Sequence, residues 1–171
     1  MREASDDLWF ERPTDRVGEL LGSEIRDHLE RALLIIQRDI DATFPQLGRL
    51  QLRWISSDMD DPYIEGDEPY VLVYVALSTS GSYCGAGSSV YAGRSDDEEE
   101  TTPATFEDMV SSVAACTQEL AIELYLRTWP DCPQHNWPFD VSFPEDWPVW
   151  HCPRNGGHDV ARVGSLTEII P

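Results

Sequence analysis

Apolar and polar residues alternate with helical periodicity in two long segments of the chain. In the first segment, from Thr14 to Phe44, apolar side chains recur every three or four positions, and most acidic and arginine side chains lie between them. Two early glycines weaken the first turns, whereas Ser23 is a favourable N-cap. The well-formed helix is therefore expected to begin at Ser23 and to end before Pro45.

The second helical segment follows Thr105-Phe-Glu-Asp108, where a threonine with an acid three residues later resembles a capping box. Beyond this box the apolar residues again follow helical spacing, and the pattern stops before Trp129. The segment is predicted to be a second long amphipathic helix. Its apolar positions include Met109, Val113, Cys116, Leu120 and Leu124.

Between the two helices the pattern changes to that of β-strands. Residues 49–55 alternate as a half-buried strand does, and residues 70–77 are continuously apolar and rich in β-branched side chains, which predicts a central strand. A stretch rich in serine and glycine, 78–89, leads to residues 90–92, which we predict to form a bent third strand with a bulge near Gly85. Because no helix separates these strands, they are expected to pair antiparallel.

Two cysteines near the end of the chain are each followed at short spacing by a histidine. The first pair is Cys132 and His135, within Cys-Pro-Gln-His, and the second is Cys152 and His158, which flank a Gly-Gly turn. Two thiolates and two imidazoles suit one tetrahedral Zn²⁺. His151 is a rival to His158 as the fourth ligand, and two alternatives to a zinc site remain, a cysteine pair that oxidises or no metal. A site closed by four protein ligands has no position for water, so the expected zinc is structural.

The order of the elements predicts an α+β fold. We expect an antiparallel sheet of three or more strands, packed by two long amphipathic helices, and a small zinc-ribbon-like module built on a hairpin of residues 147–152 and 159–163. The chain divides into a flexible lead-in, 1–13, a main body, 14–128, and the C-terminal module, 129–171, docked on that body.

The C-terminal motifs resemble those of one group of sequences. The pattern comprises Trp-Pro-x-Cys132-Pro-x-His135, then Trp-x-Cys152-Pro, then Val160-Ala-x-Val-Gly-x-Leu166. It is similar to the C-terminal module of small uncharacterised actinobacterial proteins. This resemblance implies a ribbon-like module and a bacterial source, and it implies no catalytic mechanism.

The charge of the chain limits the classes of partner. Its 171 residues include 32 acidic and 12 basic side chains, all of the latter arginine, for a net charge of −20. A field this negative repels nucleic-acid phosphates and anionic membranes, so direct binding to either is disfavoured. No apolar run reaches the length of a membrane span, and the first residues lack the order of a signal peptide. A cytoplasmic protein with a basic protein partner is expected.

Three other segments match known functional motifs only in part, because each lacks residues that the motif requires. His28-Leu-Glu30 together with Cys132 resembles zinc deaminase elements, but these lie far apart in sequence and a histidine replaces the last cysteine. Cys84, among glycines, misses the nucleophile-turn spacing by one position. The acidic loop 58–68 lacks the EF-hand glycine and glutamate, so a solvated loop is the better interpretation.

The sequence therefore favours a non-enzymatic protein that binds another protein as an adaptor, inhibitor or immunity-type partner. Two alternatives remain at this point. One is a metal-dependent hydrolase with Cys132, His135, Cys152 and a water on zinc, and with Asp159 or Glu145 as base. The other is an inhibitor whose carboxylates mimic nucleic-acid phosphates.

Overall fold

The computed structural model describes residues 23–56, 71–77, 83–85 and 104–166. The predicted lead-in 1–13, the acidic loop 58–68 and the predicted strand 90–92 lie outside the described residues. Within the described part, no helix is long and apolar enough to cross a membrane.

The two predicted helices are present. Helix α1 spans Ser23–Thr43 and helix α2 spans Phe106–Tyr125. Because Ser23 is also the first residue that the structure describes, the role of Ser23 as N-cap stays a prediction. At the start of α2 the capping box is confirmed, because the Asp108 amide donates to Thr105 Oγ1 and the Thr105 amide donates to Asp108 Oδ2, at 3.2 and 2.9 Å. Apolar residues on one face of each helix are buried, as their periodicity requires.

The strands between the helices form one antiparallel sheet in the order β1-β2-β3. Strand β1 spans Leu50–Ser56, β2 spans Val71–Leu77 and β3 spans Tyr83–Gly85. Strand β3 lies within the serine- and glycine-rich stretch, ahead of the predicted strand 90–92, which the structure does not describe. Pairing at a sheet edge depends on register with the neighbouring strand more than on intrinsic propensity, and here Cys84 faces Val75.

The C-terminal region contains five short strands. Strands β4, Asp131–Cys132, and β5, Trp137–Pro138, form one small hairpin, and β6, Asp140–Ser142, pairs antiparallel with β7, Val149–Cys152. Strand β8, His158–Arg162, pairs antiparallel with β7, with a bulge next to Trp150. The predicted hairpin is thus confirmed, whereas the β4–β5 hairpin and β6 were not predicted.

A single cluster of buried side chains runs from the helices into the C-terminal strands. It includes Ile36 and Ile40 of α1, Leu120 of α2, and Trp150 and Cys152 of β7. The C-terminal strands are too short to bury a core among themselves, so they share that of the helices. The α+β class with small antiparallel sheets is confirmed, and the division into domains stays a prediction.

Candidate metal centre

The first cysteine and histidine are brought together by a tight turn. Cys132 ends strand β4, and residues 133–136 turn the chain back into β5. The Asn136 amide donates to the Cys132 carbonyl at 2.7 Å, and Asn136 has the left-handed φ of 47° that a short polar side chain tolerates. The turn places His135 Nδ1 3.6 Å from Cys132 Sγ.

The second pair faces across the β7–β8 hairpin. Cys152 ends β7 and is the cross-strand partner of His158, the first residue of β8. The connection includes a short 3₁₀ turn and two consecutive glycines with φ of 92° and 76°. A Cβ at the second, Gly157, would lie 2.8 Å from the His151 ring, so this turn requires glycine both for its backbone and for space.

The four side chains converge on one point. Cys132 Sγ lies 3.7 Å from His158 Nε2, and Cys152 Sγ lies 3.2 Å from His135 Nδ1. All four ligand atoms lie within 4.8 Å of one another. Metal bonds of about 2.3 Å to sulfur and 2.0 Å to nitrogen at tetrahedral angles require sulfur–nitrogen separations of about 3.6 Å. The three sulfur–nitrogen distances of 3.2, 3.6 and 3.7 Å are close to this value, so the cluster could hold one small cation.

Burial sets the electrostatics of this cluster. Both cysteines are almost completely buried, and both histidines are half-buried. Burial raises the pKa of the Cys152 thiol above its ordinary value; the backbone near Arg154 lowers it and the neighbouring Cys132 raises it. Burial therefore favours the neutral thiol at Cys152, and a metal ion that binds its thiolate displaces a proton.

The structure separates the two candidates for the fourth ligand. His158 belongs to the described Cys/His cluster and His151 does not. His151 Nδ1 instead lies 2.7 Å from the carboxylate of Asp159, so the ring is held on the outer face of the hairpin. The Asp159 carboxylate, which the sequence suggested as a hydrolytic base, is therefore paired with His151.

This difference predicts opposite results for two histidine substitutions. His158→Ala is expected to weaken metal affinity by more than the roughly 10–100-fold typical of changes outside the ligand shell, because a ligand is lost. His151→Ala, the matched control seven residues earlier, is expected to retain an affinity close to that of the wild type. Chelator competition on the two purified variants makes the comparison, and a loss confined to His151→Ala would reassign the fourth ligand.

Other residues singled out in the sequence lie elsewhere. The ring of His28 packs against Phe106 at a centroid distance of 5.3 Å, and His28 is not part of the described Cys/His cluster. This contact fits a packed histidine on the helix face. The side chain of Cys84 and the acidic loop 58–68 lie outside what the structure describes.

Sequence reasoning missed Asp39, the one carboxylate that is fully buried among the residues the structure describes. Asp39 of helix α1 is fully buried and accepts three hydrogen bonds of 2.7 Å, from Trp150 Nε1 and from the amides of Gly164 and Leu166. The sequence contains one sign of this role: Asp39 lies between Ile36 and Ile40, where an acid interrupts the apolar stripe of the helix.

Burial raises the pKa of Asp39 above its ordinary value, and the hydrogen bonds from Trp150, Gly164 and Leu166 offset part of this effect. The native carboxyl thus holds its proton to a higher pH than it does in the unfolded chain. At this residue, a fall in pH through the native pKa favours the folded state, the reverse of the usual salt-bridged aspartate.

A second indole is held one turn further along α1. Trp129 Nε1 donates to Thr43 Oγ1 at 2.9 Å, and the Thr43 hydroxyl donates to the Asp39 carbonyl at 2.6 Å. The rings of Trp129 and Trp150 meet edge to face, with centroids 5.7 Å apart. The two tryptophans that precede the cysteine ligand candidates are therefore both anchored on the end of α1.

Comparison of the chain with protein-family models, with curated proteins and with solved structures found no match. The resemblance to actinobacterial proteins accordingly stays a prediction. What the structure establishes is a four-residue Cys/His cluster with the geometry of a metal site, Cys132, His135, Cys152 and His158.

Proposed function

We propose that the chain binds one Zn²⁺ through Cys132, His135, Cys152 and His158, and that this ion stabilises a zinc-ribbon-like C-terminal module. The convergence of two sulfur and two nitrogen atoms within 4.8 Å carries the proposal. Zinc is the metal of choice because a tetrahedral set of two thiolates and two imidazoles suits it, whereas magnesium and calcium prefer oxygen ligands.

The proposed site is structural and not catalytic. Four protein ligands fill a tetrahedral zinc and leave no position at which water is activated. Both sulfur ligands are buried, which limits access of a substrate to the ion. The zinc accordingly contributes folding free energy to strands that are too short to be stable alone.

For the whole chain we propose a non-enzymatic, cytoplasmic role in binding a basic protein, as adaptor, inhibitor or immunity-type partner. The net charge of −20 supports this role, because opposite charge accelerates association and fixes orientation. For a partner recovered by crosslinking in cells, the dissociation constant of the purified pair should rise steeply with ionic strength. An affinity that is equal at low and high salt would rule out an electrostatic interface.

The metal proposal is tested by elemental analysis of the purified protein. One equivalent of zinc is expected in the wild type, and Cys132→Ala is expected to lose it because the remaining three ligands hold the ion weakly. Cys116→Ala is the matched control, since this thiol is also buried but lies in helix α2 outside the cluster. It should retain the zinc.

Cobalt substitution distinguishes the structural site from a hydrolytic one. A closed site is expected to give a tetrahedral cobalt spectrum that does not change when competing small anions are added. A spectrum that responds to such anions would indicate an exchangeable water and favour a metal-dependent hydrolase.

A further inference from the structure

We propose that the end of helix α1 is part of the metal centre: the Asp39 carboxylate positions the β7–β8 hairpin through Trp150, and Thr43 of the same helical turn positions the β4–β5 hairpin through Trp129. The inference rests on the proposed zinc site. It assigns a role in metal affinity to Asp39. This residue lies more than ninety positions before Cys132 in the sequence and contacts none of the four ligand candidates.

The first link runs from Asp39 to Cys152. Asp39 Oδ2 accepts the indole N–H of Trp150 at 2.7 Å, and both residues are fully buried. Cys152 follows Trp150 by two residues on the same strand and is also fully buried. Only His151 separates Cys152 from Trp150, so an immobilised Trp150 restricts where the backbone of Cys152 lies, across the bulge at Trp150 and His151.

The second link runs from the same helix to Cys132. Thr43 accepts the indole N–H of Trp129, and Cys132 follows Trp129 by three residues. The carbonyl of Pro130, between them, accepts the Phe139 amide, which closes the β4–β5 hairpin that contains His135. One turn of α1 thus binds the two indoles that precede the two sulfur ligands in the sequence. The two indoles also pack against each other edge to face.

The third link holds the chain that follows β8. The amides of Gly164 and Leu166 donate to the two oxygens of Asp39. At Gly164 the backbone passes so close to α1 that a Cβ would collide with the side chain of Ile35, and its φ of 89° also favours glycine. Since His158 begins β8, Asp39 ties both strands of the ligand-bearing hairpin to the helix.

These contacts determine how well the ligands are organised before the metal arrives. Groups that hydrogen-bond directly to metal ligands typically change metal affinity by about 10–100-fold when they are replaced, and a smaller change is expected for Asp39, which acts one residue further out. Linkage is reciprocal, so bound zinc must strengthen the docking of the C-terminal strands on α1 by the same factor.

Chelator competition for zinc on the full chain tests the inference with Asp39→Asn. An asparagine retains the shape but presents an NH₂ group to one of three N–H donors, so we expect an affinity weaker than that of the wild type by up to about 10-fold. The cobalt-substituted variant should also show an altered absorption spectrum. Asp41→Asn, which removes a charge two residues along the same helix at an exposed position, should match the wild type in both readouts.

Leu29→Ala separates positioning from general destabilisation. Leu29 is fully buried in α1, but it lies ten residues, or about 15 Å, before Asp39. It should lower the stability and leave the zinc affinity and cobalt spectrum of the folded protein unchanged. If Asp39→Asn does not fold, Trp150→Phe, which keeps an aromatic ring but removes the N–H donor and part of the indole volume, serves in its place with an expected loss in the same direction.

The possible failures are distinct. A wild type that binds no metal would overturn the proposed zinc site, and this inference with it. A wild type that binds zinc, together with a folded Asp39→Asn or Trp150→Phe of equal affinity and identical cobalt spectrum, would overturn only the positioning role of α1.

Discussion

Removal of zinc with a chelator is expected to lower the free energy of unfolding by about 4 kcal/mol when the reference sample contains free zinc at about a thousand times its Kd. This corresponds to about 10 °C in Tm for a chain of this length. The reason is that the four ligand atoms are within 4.8 Å of one another only in the folded chain, so the ion binds the native state and not the unfolded one. Thermal unfolding with and without chelator, followed by circular dichroism, measures the shift.

Two variants make this measurement specific to the cluster. Cys152→Ala should have a lower Tm than the wild type, and this Tm should be the same with and without chelator. The reason is that the variant has no complete metal site from which zinc could be removed. Cys116→Ala should keep the full chelator-dependent shift, since it leaves the cluster intact. A shift of equal size in Cys152→Ala and the wild type would mean that the chelator acts elsewhere.

The second large effect is expected for Trp150→Ala, which should lower the free energy of unfolding by about 3–5 kcal/mol. Trp150 is among the largest fully buried side chains, so its truncation leaves a cavity in the shared core. The same change also deprives the buried Asp39 of a donor. Trp150→Phe removes the same donor but leaves a smaller cavity, so it should cost at least the roughly 1.5–3 kcal/mol of a hydrogen bond to a charged group. Urea unfolding of the three proteins, each saturated with zinc, gives both values.

Trp137→Phe provides the matched control. This tryptophan is also in a C-terminal strand, but it is 40% exposed and packs beneath the guanidinium of Arg154. Its replacement should change the free energy of unfolding by no more than about 0.5 kcal/mol. If Trp137→Phe and Trp150→Phe lowered the free energy of unfolding equally, the buried hydrogen bond from Trp150 to Asp39 would not contribute to stability as proposed.

Local patterns were sufficient to predict much of this molecule. The helical periodicity located both helices, and the capping box at Thr105 and Asp108 was readable because it depends on residues three positions apart. The β7–β8 hairpin was predictable for the same reason, since its strands flank a turn with Gly156 and Gly157. The four members of the cluster were identified from two short spacings.

Features that depend on distant residues were not predictable from these patterns. Asp39 is stabilised by donors more than a hundred positions away, so one chain segment alone gives no sign of its partners. Strand β6 is only three residues long, and its pairing with β7 depends on where the folded chain brings them together. The choice of His158 over His151 likewise depends on which side of the hairpin each ring occupies.

X-ray absorption at the zinc edge tests the central claim most directly, because it reports the atoms bound to the ion. The account predicts a four-coordinate zinc with two sulfur atoms at about 2.3 Å and two imidazole nitrogen atoms at about 2.0 Å. A protein without zinc, or a shell that lacks either sulfur or contains a water oxygen in place of an imidazole, would contradict it.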